Sequence, residues 1–155
     1  QDLQPINRVT IRNAGIGPTI DEFAQAFAGR SIYSVGDLYS GYDQFQLAIE
    51  SRDITTMRTP LGLVRMCTLP QGGTNSVVDM VNAMNKVLRD CIPDITMPFL
   101  DDILIKGCPV EEKDETIGPD GCRQFVATHI DDCERVLQRL EDARLTFSGE
   151  KSAFG

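Results

Sequence analysis

Three acidic residues in this chain stand where carboxylates are costly. Asp101 and Asp102 lie in TMPFLDDILIKG, Thr96 to Gly107, between Phe99-Leu100 and Ile103-Leu104-Ile105, and Asp37 lies at the end of the apolar run SIYSVGDL. Like charges side by side repel, and hairpin tips favour Asn-Gly or Asp-Gly instead. Three carboxylates at the ends of adjacent strands would force a proton onto one of them unless a hard cation neutralised them. Oxygen-only ligation of that kind suits Mg²⁺, which keeps waters and takes one or two carboxylates plus substrate phosphates. Two such ions roughly 3.5–4 Å apart can activate an attacking hydroxyl and stabilise the leaving oxygen in phosphoryl transfer. The competing explanation is an acidic turn without chemistry. Asp131-Asp132 is the internal comparison: it falls on the polar face of a helical pattern, where solvation explains it.

The elements that must position these acids can be read from pattern. QDLQPINRVTIRNAGIGPT is punctuated by Pro and Gly and predicts an irregular lead-in. Thr19 followed by Glu22 predicts a capping box, opening a short helix with Ile20, Phe23, Ala24 and Phe27 on one face and ending near Gly29. Ser31 to Leu38 is β-branched and aromatic, a strand that delivers Asp37. Thr55 to Pro70 reads as two strands around a turn at Pro60 to Gly62. Val77, Val78, Val81, Met84, Val87 and Leu88 recur at helical spacing after Asn75, a candidate cap. The Asp101-Asp102 hairpin follows, then an acidic loop from Gly107 to Gly121. Arg123 to Ala143 predicts a long amphipathic helix with Phe125, Ile130, Cys133, Val136, Leu137 and Leu140 inward. Helices interleaved with hairpin-forming strands indicate an α+β fold, an antiparallel sheet with helices packed on one face.

At 155 residues and 41% hydrophobic, the chain fits one globular domain. No apolar run has membrane-spanning length and no charged-then-apolar leader is present, so the expectation is an intracellular protein without membrane contact. Five scattered cysteines argue against a disulfide framework. Cys122, His129 and Cys133 are the nearest approach to a zinc site, and they lack a fourth ligand and paired-cysteine spacing. A net charge of −8 argues against a nucleic-acid partner, whose binding surfaces are usually basic.

SVGDLYSGYDQFQL, LPQGGTNS and FLDDILI stand in the order of the palm motifs of reverse transcriptases. They most closely resemble those of gypsy-type LTR retrotransposons, particularly fungal ones. DLQPINRVT and LTFSGEKSAFG resemble that family's flanks, so the resemblance covers essentially the whole chain. It implies an RNA-directed DNA polymerase that joins deoxynucleotides to a primer 3′-hydroxyl by two-metal nucleotidyl transfer, using Mg²⁺ or Mn²⁺ in its place. The implied partners are an RNA or DNA template with primer, deoxynucleoside triphosphates, and the remaining polyprotein domains, thumb and RNase H. The implied location is the cytoplasm or a virus-like particle.

Residue by residue, the resemblance makes Asp37 and Asp101 metal ligands, adds the Leu38 carbonyl, and makes Asp102 the supporting third carboxylate. Tyr42, five residues after Asp37, matches the steric gate beneath the incoming sugar, with Ser40 and Gly41 along the triphosphate. Gln71 and Gly72 match a turn that contacts nucleotide and template, and glycine there permits close backbone approach. Lys151 matches a lysine that protonates the leaving pyrophosphate.

The chain also departs from the pattern. Phe99 replaces the usual tyrosine of the hairpin, and Ser152 replaces the cysteine that usually follows the lysine. The 107–121 segment is about a dozen residues longer than the usual link, which marks it as a surface insertion. Relative to the family, the chain begins after the basic fingers strand and stops before the primer grip, thumb and RNase H, which carry much of the positive surface and so account for the negative charge. The expected organisation is a single domain over 1–155: a fingers-side lead-in (1–30), catalytic palm motifs (31–106), the insertion (107–121), and palm helix with final strand (122–155). Two rival readings are a catalytically silent, retroelement-derived binding module that contacts protein or RNA, and an unrelated metal-dependent phosphotransferase. Intact Asp37, Asp101 and Asp102 favour the enzyme.

Overall fold

Pro5 sits in the first turn of a helix instead of breaking the chain. The protein is described by a computed structural model covering residues 2–13, 15 and 17–155. Its first element is α1, Gln4–Val9, where an irregular lead-in was expected. The fixed φ of proline suits a helix's opening turn, where its missing N–H costs nothing. Distant contacts hold the helix: Leu3 is buried, and the Asn7 side chain donates to the Gly72 carbonyl (3.0 Å) and accepts from the Thr74 amide (2.9 Å). The rest of the described lead-in has no regular structure, as expected, while Ala14 and Ile16 lie outside the described residues.

The capping box forms as predicted. Thr19 Oγ1 accepts from the Glu22 amide and the Glu22 carboxylate accepts from the Thr19 amide, opening α2, Ile20–Phe27, with Gly29 at φ +67° just beyond it. β1, Tyr33–Asp37, leads into a 3-10 turn at Gly41–Gln44 and the short α3, Ile49–Arg52. β2, Met57–Thr59, and β3, Gly62–Val64, pair as a hairpin around the predicted turn. α4 spans Ser76–Val87, β4 Thr96–Phe99, β5 Asp102–Lys106, α5 Gln124–Asp142 and β6 Ala153–Phe154. Asn75 precedes α4 but makes no side-chain cap. Its amide group instead donates to the Ile11 carbonyl and accepts from the Asn13 amide, tethering the lead-in.

The main sheet is antiparallel, ordered β4-β5-β1-β6, and is separate from the β2-β3 hairpin. Register aligns Thr96 and Pro98 with Ile105 and Ile103, and these with Ser34 and Gly36, so all six share one face. The two long helices lie on that face. Met80, Met84 and Leu88 close the core from α4 and the residue following it, and Val136 and Leu140 close it from α5. Burying each such side chain contributes roughly 1.5–3 kcal/mol. The α+β expectation therefore holds. α2 adds cover on the opposite face near β4 and β5, with the Phe23 ring 5.1 Å from Phe99 and Lys106 Nζ 5.7 Å from the Phe27 ring.

The inward stripe of α5 is Phe125, His129, Cys133, Val136 and Leu140. Ile130, expected inward, is exposed and Leu137 is half-buried, because the helix phase selects 129 over 130. His129 Nε2 lies 2.8 Å from Ser34 Oγ and 3.6 Å from Cys133 Sγ, whereas Cys122 stands before the helix with its thiol on the Arg123 carbonyl. All five cysteines are free. Asp131 is exposed, but its neighbour Asp132 is half-buried and its carboxyl is pushed up, chiefly by burial. Solvation therefore explains only the first of that pair.

Burial pushes the His129 imidazole down, against a smaller opposing pull from Asp132. An unfolded histidine titrates near about 6.5. Below that pH the unfolded chain binds a proton that the folded chain refuses, so stability falls as pH drops through about 6.5 and levels off beneath the lowered folded value. Urea midpoints at pH 7.5 and 5.5 are expected to differ more for the wild type than for His129→Gln. Equal pH dependence in the two would remove His129 as the cause.

The 107–121 segment is more than surface decoration. Thr116 and Asp114 offer their carbonyls to the amides of Gln124 (2.8 Å) and Phe125 (3.0 Å), and Lys113 Nζ stands 4.7 Å from the Phe125 ring. These carbonyls take up orphan N–H groups in the first turn of α5, since Arg123 provides no side-chain cap.

Candidate active site

Antiparallel pairing brings the acids together. β1 ends at Asp37 and β5 begins at Asp102, directly opposite it in register. The Asp37 amide donates to Ser152 Oγ (3.2 Å) and its carbonyl accepts from the Ser148 amide (2.9 Å), so both backbone groups point away from β5. Asp37 and Asp102 are thus a non-hydrogen-bonded pair, the closer type, with Cα atoms about 4.5 Å apart and side chains on one face. Two like charges so placed destabilise each other. The Asp102 carboxyl is pushed up by burial first, then by Asp101 and Asp37, with Lys151 opposing.

Leu100 and Asp101 form the two-residue tip between β4 and β5. Leu100 takes φ +58°, which costs a non-glycine residue of order 1–3 kcal/mol. The Leu38 amide donates to the Asp101 carbonyl at 3.3 Å, tying the tip to the end of β1, and the Leu38 side chain anchors in the core. Ser40 then adopts a left-handed conformation (φ 49°) that turns the chain into Gly41–Gln44. Gly41 is buried against Asp101, where an added Cβ would stand 3.6 Å from the Asp101 Cβ. Tyr42 is half-buried against the core, its phenol pushed up by burial and then by the Asp101 charge.

A cleft of about 420 Å³ collects most of the predicted residues: Asp37, Leu38, Ser40, Gly41, Tyr42, Gln71, Asp101 and Lys151. Lys151 Nζ stands 3.6 Å from Asp37 Oδ1, and because the lysine side chain is largely exposed, solvent screens the pair and keeps its energetic worth small. Asp102 and Gly72 lie beside this cleft without lining it. Gly72 holds φ +90°, which favours glycine, in the turn that the Asn7 side chain grips. Leu3, Asp43 and Met66 also line the cleft and were not anticipated. Leu3 was hidden in a lead-in read as irregular, while Asp43, next to Tyr42, was legible as a fourth nearby acid.

A second, larger cleft of about 760 Å³ lies along α1. Arg8 and Arg12 line it together with Gln4, Asn7, Thr10, Asn13 and Thr74. It adjoins the Gln71–Thr74 turn and presents cations and amides in an otherwise acidic chain.

Residues 2–155 match the family described as reverse transcriptase (RNA-dependent DNA polymerase). The chain belongs to the reverse transcriptase family. An RNA-directed DNA polymerase homolog of Oenothera berteroana is 30% identical over 104 residues, covering 67% of this chain and 73% of that protein. The retrovirus-related Pol polyprotein from transposon gypsy of Drosophila melanogaster is 28% identical over 99% of this reverse transcriptase domain, which spans 13% of the polyprotein. Among solved structures, the foamy viral protease-reverse transcriptase in complex with RNA/DNA hybrid superposes with a TM-score of 0.77 at 20% identity, over 99% of this chain and 18% of that one. The fold of the domain is therefore that of a reverse transcriptase, and the chain spans 13% of the gypsy polyprotein and 18% of the foamy viral chain, whereas its match to the Oenothera homolog covers 73% of that protein. No helix of the described residues is long and apolar enough to cross a membrane.

Proposed function

We propose that the domain is the palm, with part of the fingers, of an RNA-directed DNA polymerase from a gypsy-type LTR retrotransposon of fungal type. The observation that carries this reading is the convergence of Asp37, Asp101, Tyr42 and Lys151 on one cleft. Residues 31–106 and 122–155 make the palm, 1–30 the fingers-side lead-in and 107–121 an insertion. Its partners are a primed RNA or DNA template, deoxynucleoside triphosphates, and the thumb and RNase H of the polyprotein, in the cytoplasm or a virus-like particle.

The donors suit a hard cation. They are oxygens, and the mutual repulsion of Asp37, Asp101 and Asp102 is what a divalent ion relieves. Among the described residues no three acidic, histidine or cysteine side chains close into a cage. Coordination would therefore be completed by water and substrate phosphates, as Mg²⁺ prefers. Mg²⁺, or Mn²⁺ in its place, held by Asp37, Asp101 and the Leu38 carbonyl with Asp102 in support, would acidify the attacking hydroxyl and neutralise the leaving oxygen.

The chain's own groups do the rest. Ser40 and Gly41 line the path of the triphosphate, and Tyr42 underlies the sugar. The primer 3′-oxygen bonds to the α-phosphorus and loses its proton to water, the bond from that phosphorus to the β-phosphate bridging oxygen breaks, and Lys151 gives a proton to the departing pyrophosphate and regains one from water. The cleft bearing Arg8 and Arg12 offers phosphate contacts for a template strand despite the overall charge of −8.

The 155 residues alone are expected to extend a primer weakly. Each phosphate contact missing with the thumb removes a share of the counterion-release term that dominates nucleic-acid affinity. Primer extension at low salt on a homopolymer template should rise about 10²-fold or more when the thumb-containing flanking segments are included, as several charge-assisted contacts are restored. Processive synthesis by the 155-residue chain alone would show that the nucleic-acid surface has been misplaced.

A further inference from the structure

The outer edge of the strand that carries Asp37 is held by two separate backbone patches, the β6 ladder and the Leu38↔Phe147 bridge with the Tyr39 amide on the Thr146 carbonyl (2.9 Å), and side chains fasten the stretch between and beside them. β6 pairs with β1 only through Ala153↔Val35 and Phe154↔Ser34. Continued in register, that ladder would serve Gly36 and Asp37 next, but the chain turns away at residues 149–151. Ser152 fills the gap. Its Oγ accepts the Asp37 amide hydrogen bond (3.2 Å) and donates to the Ser148 carbonyl (2.8 Å), while the Ser148 amide donates to the Asp37 carbonyl (2.9 Å). The three bonds form a ring that satisfies both backbone groups of Asp37, and Lys151 is the residue immediately before the hydroxyl.

A second side chain fastens the other end of the same segment. Gln44 Nε2 donates to the carbonyls of Tyr39 (2.7 Å) and Thr146 (2.9 Å), and its Oε1 accepts from the Thr146 amide (2.6 Å). Between the two clips, the Phe147 ring lies on Gly36, where any Cβ would overlap it. The 146–152 arm is thus bolted to the motif running from Asp37 to Gln44.

We infer that Ser152 and Gln44 are positioning residues for the polymerase centre, fixing the Asp37 carboxylate and the Lys151 ammonium relative to each other and to Asp101. This rests on the two-aspartate metal site of the preceding section. Without its hydroxyl acceptor, the Asp37 amide loses the partner that ties it to the Ser148 carbonyl, and the placement of its carboxylate against Asp101 rests on the remaining backbone bonds of Ser148 and Leu38 and is less tightly fixed. Metal affinity depends on the mutual placement of both carboxylates and falls with that freedom, as it does when the supporting partners of metal ligands are removed.

The test uses Mn²⁺ as probe on the 155-residue chain, titrated by electron paramagnetic resonance, with hydrogen exchange of the Asp37 amide followed by NMR. Ser152→Ala should weaken Mn²⁺ binding by about 10-fold, the low end for lost supporting partners, and should speed exchange at Asp37. Ser152→Thr, which keeps the hydroxyl, should restore both, and Gln44→Ala should weaken Mn²⁺ binding in the same direction. Thr96→Val removes a 2.6 Å bond to the Leu104 carbonyl in the same sheet, so it controls for general loss of stability and should leave Mn²⁺ affinity unchanged. Wild-type Mn²⁺ affinity in Ser152→Ala, or equal losses in Ser152→Ala and Thr96→Val, would overturn the inference. Equal Mn²⁺ binding by the wild type and Asp101→Asn would instead overturn the two-aspartate reading beneath it, and the positioning role with it.

Discussion

Asp101→Asn is expected to lower Mg²⁺-dependent nucleotide incorporation by about 10³-fold, measured in a chain long enough to hold primer and template. A divalent ion at such a site contributes several kcal/mol to stabilising the transferring phosphoryl group, and each 1.36 kcal/mol is worth about tenfold in rate. Asparagine keeps the shape and one oxygen but removes the charge that holds the ion. The fold should survive. Asp101 is exposed at the hairpin tip, and the contact that ties the tip to β1 uses its backbone carbonyl, which the substitution leaves in place. Losing its charge also relieves repulsion on Asp102. Single-nucleotide incorporation and circular dichroism on the same preparations separate the two effects, and undiminished incorporation by a folded Asp101→Asn protein would refute the metal assignment.

Tyr42→Val should change which sugar is accepted. The Tyr42 ring lines the cleft between Gly41 and Asp43 and is half-buried against the core, so its position is held by packing and not by a flexible loop. A 2′-hydroxyl colliding with a ring fixed in this way is penalised by about 1–3 kcal/mol, or 10–200-fold, the range that shape discrimination in a pocket achieves. Valine removes the collision. The ratio of kcat/KM for deoxynucleotides to that for ribonucleotides should therefore fall by roughly 10²-fold. Deoxynucleotide use should drop only modestly, reflecting looser packing beneath the sugar. If the ratio does not move, Tyr42 is only a packing residue.

Much of the architecture was legible because its signals act over a few residues. The Thr19–Glu22 capping box, the Pro60–Gly62 turn, the β-branched and aromatic run that delivers Asp37 and the two apolar runs around Asp101-Asp102 each specify a local conformation, and each is found where the pattern indicated. The acids themselves were conspicuous because carboxylates bordering core residues demand a compensating partner. Local signals failed where a distant contact outweighed them. Pro5 read as a breaker until Leu3 was buried and Asn7 gripped the Gly72 turn. Asn75 read as a cap until its amide found Ile11 and Asn13. In α5, hydrophobicity favoured Ile130, but the phase that buries Phe125, Cys133, Val136 and Leu140 turns His129 toward Ser34 instead.

The site divides along the same line. Residue types and context name Asp37, Asp101 and Asp102, while Tyr42 and Lys151 are named only by the resemblance to reverse transcriptase motifs. What no spacing reveals is that Asp37 stands opposite Asp102 in register, that Asp102 and Gly72 lie beside the cleft while Asp43 and Met66 line it, and that a serine and a glutamine bolt the lysine-bearing arm in place. Strand register and side-chain clips join residues far apart in the chain. They are chosen by the packing of α4 and α5 on the sheet, which only one register of the strands allows to close without voids or unpaired backbone groups.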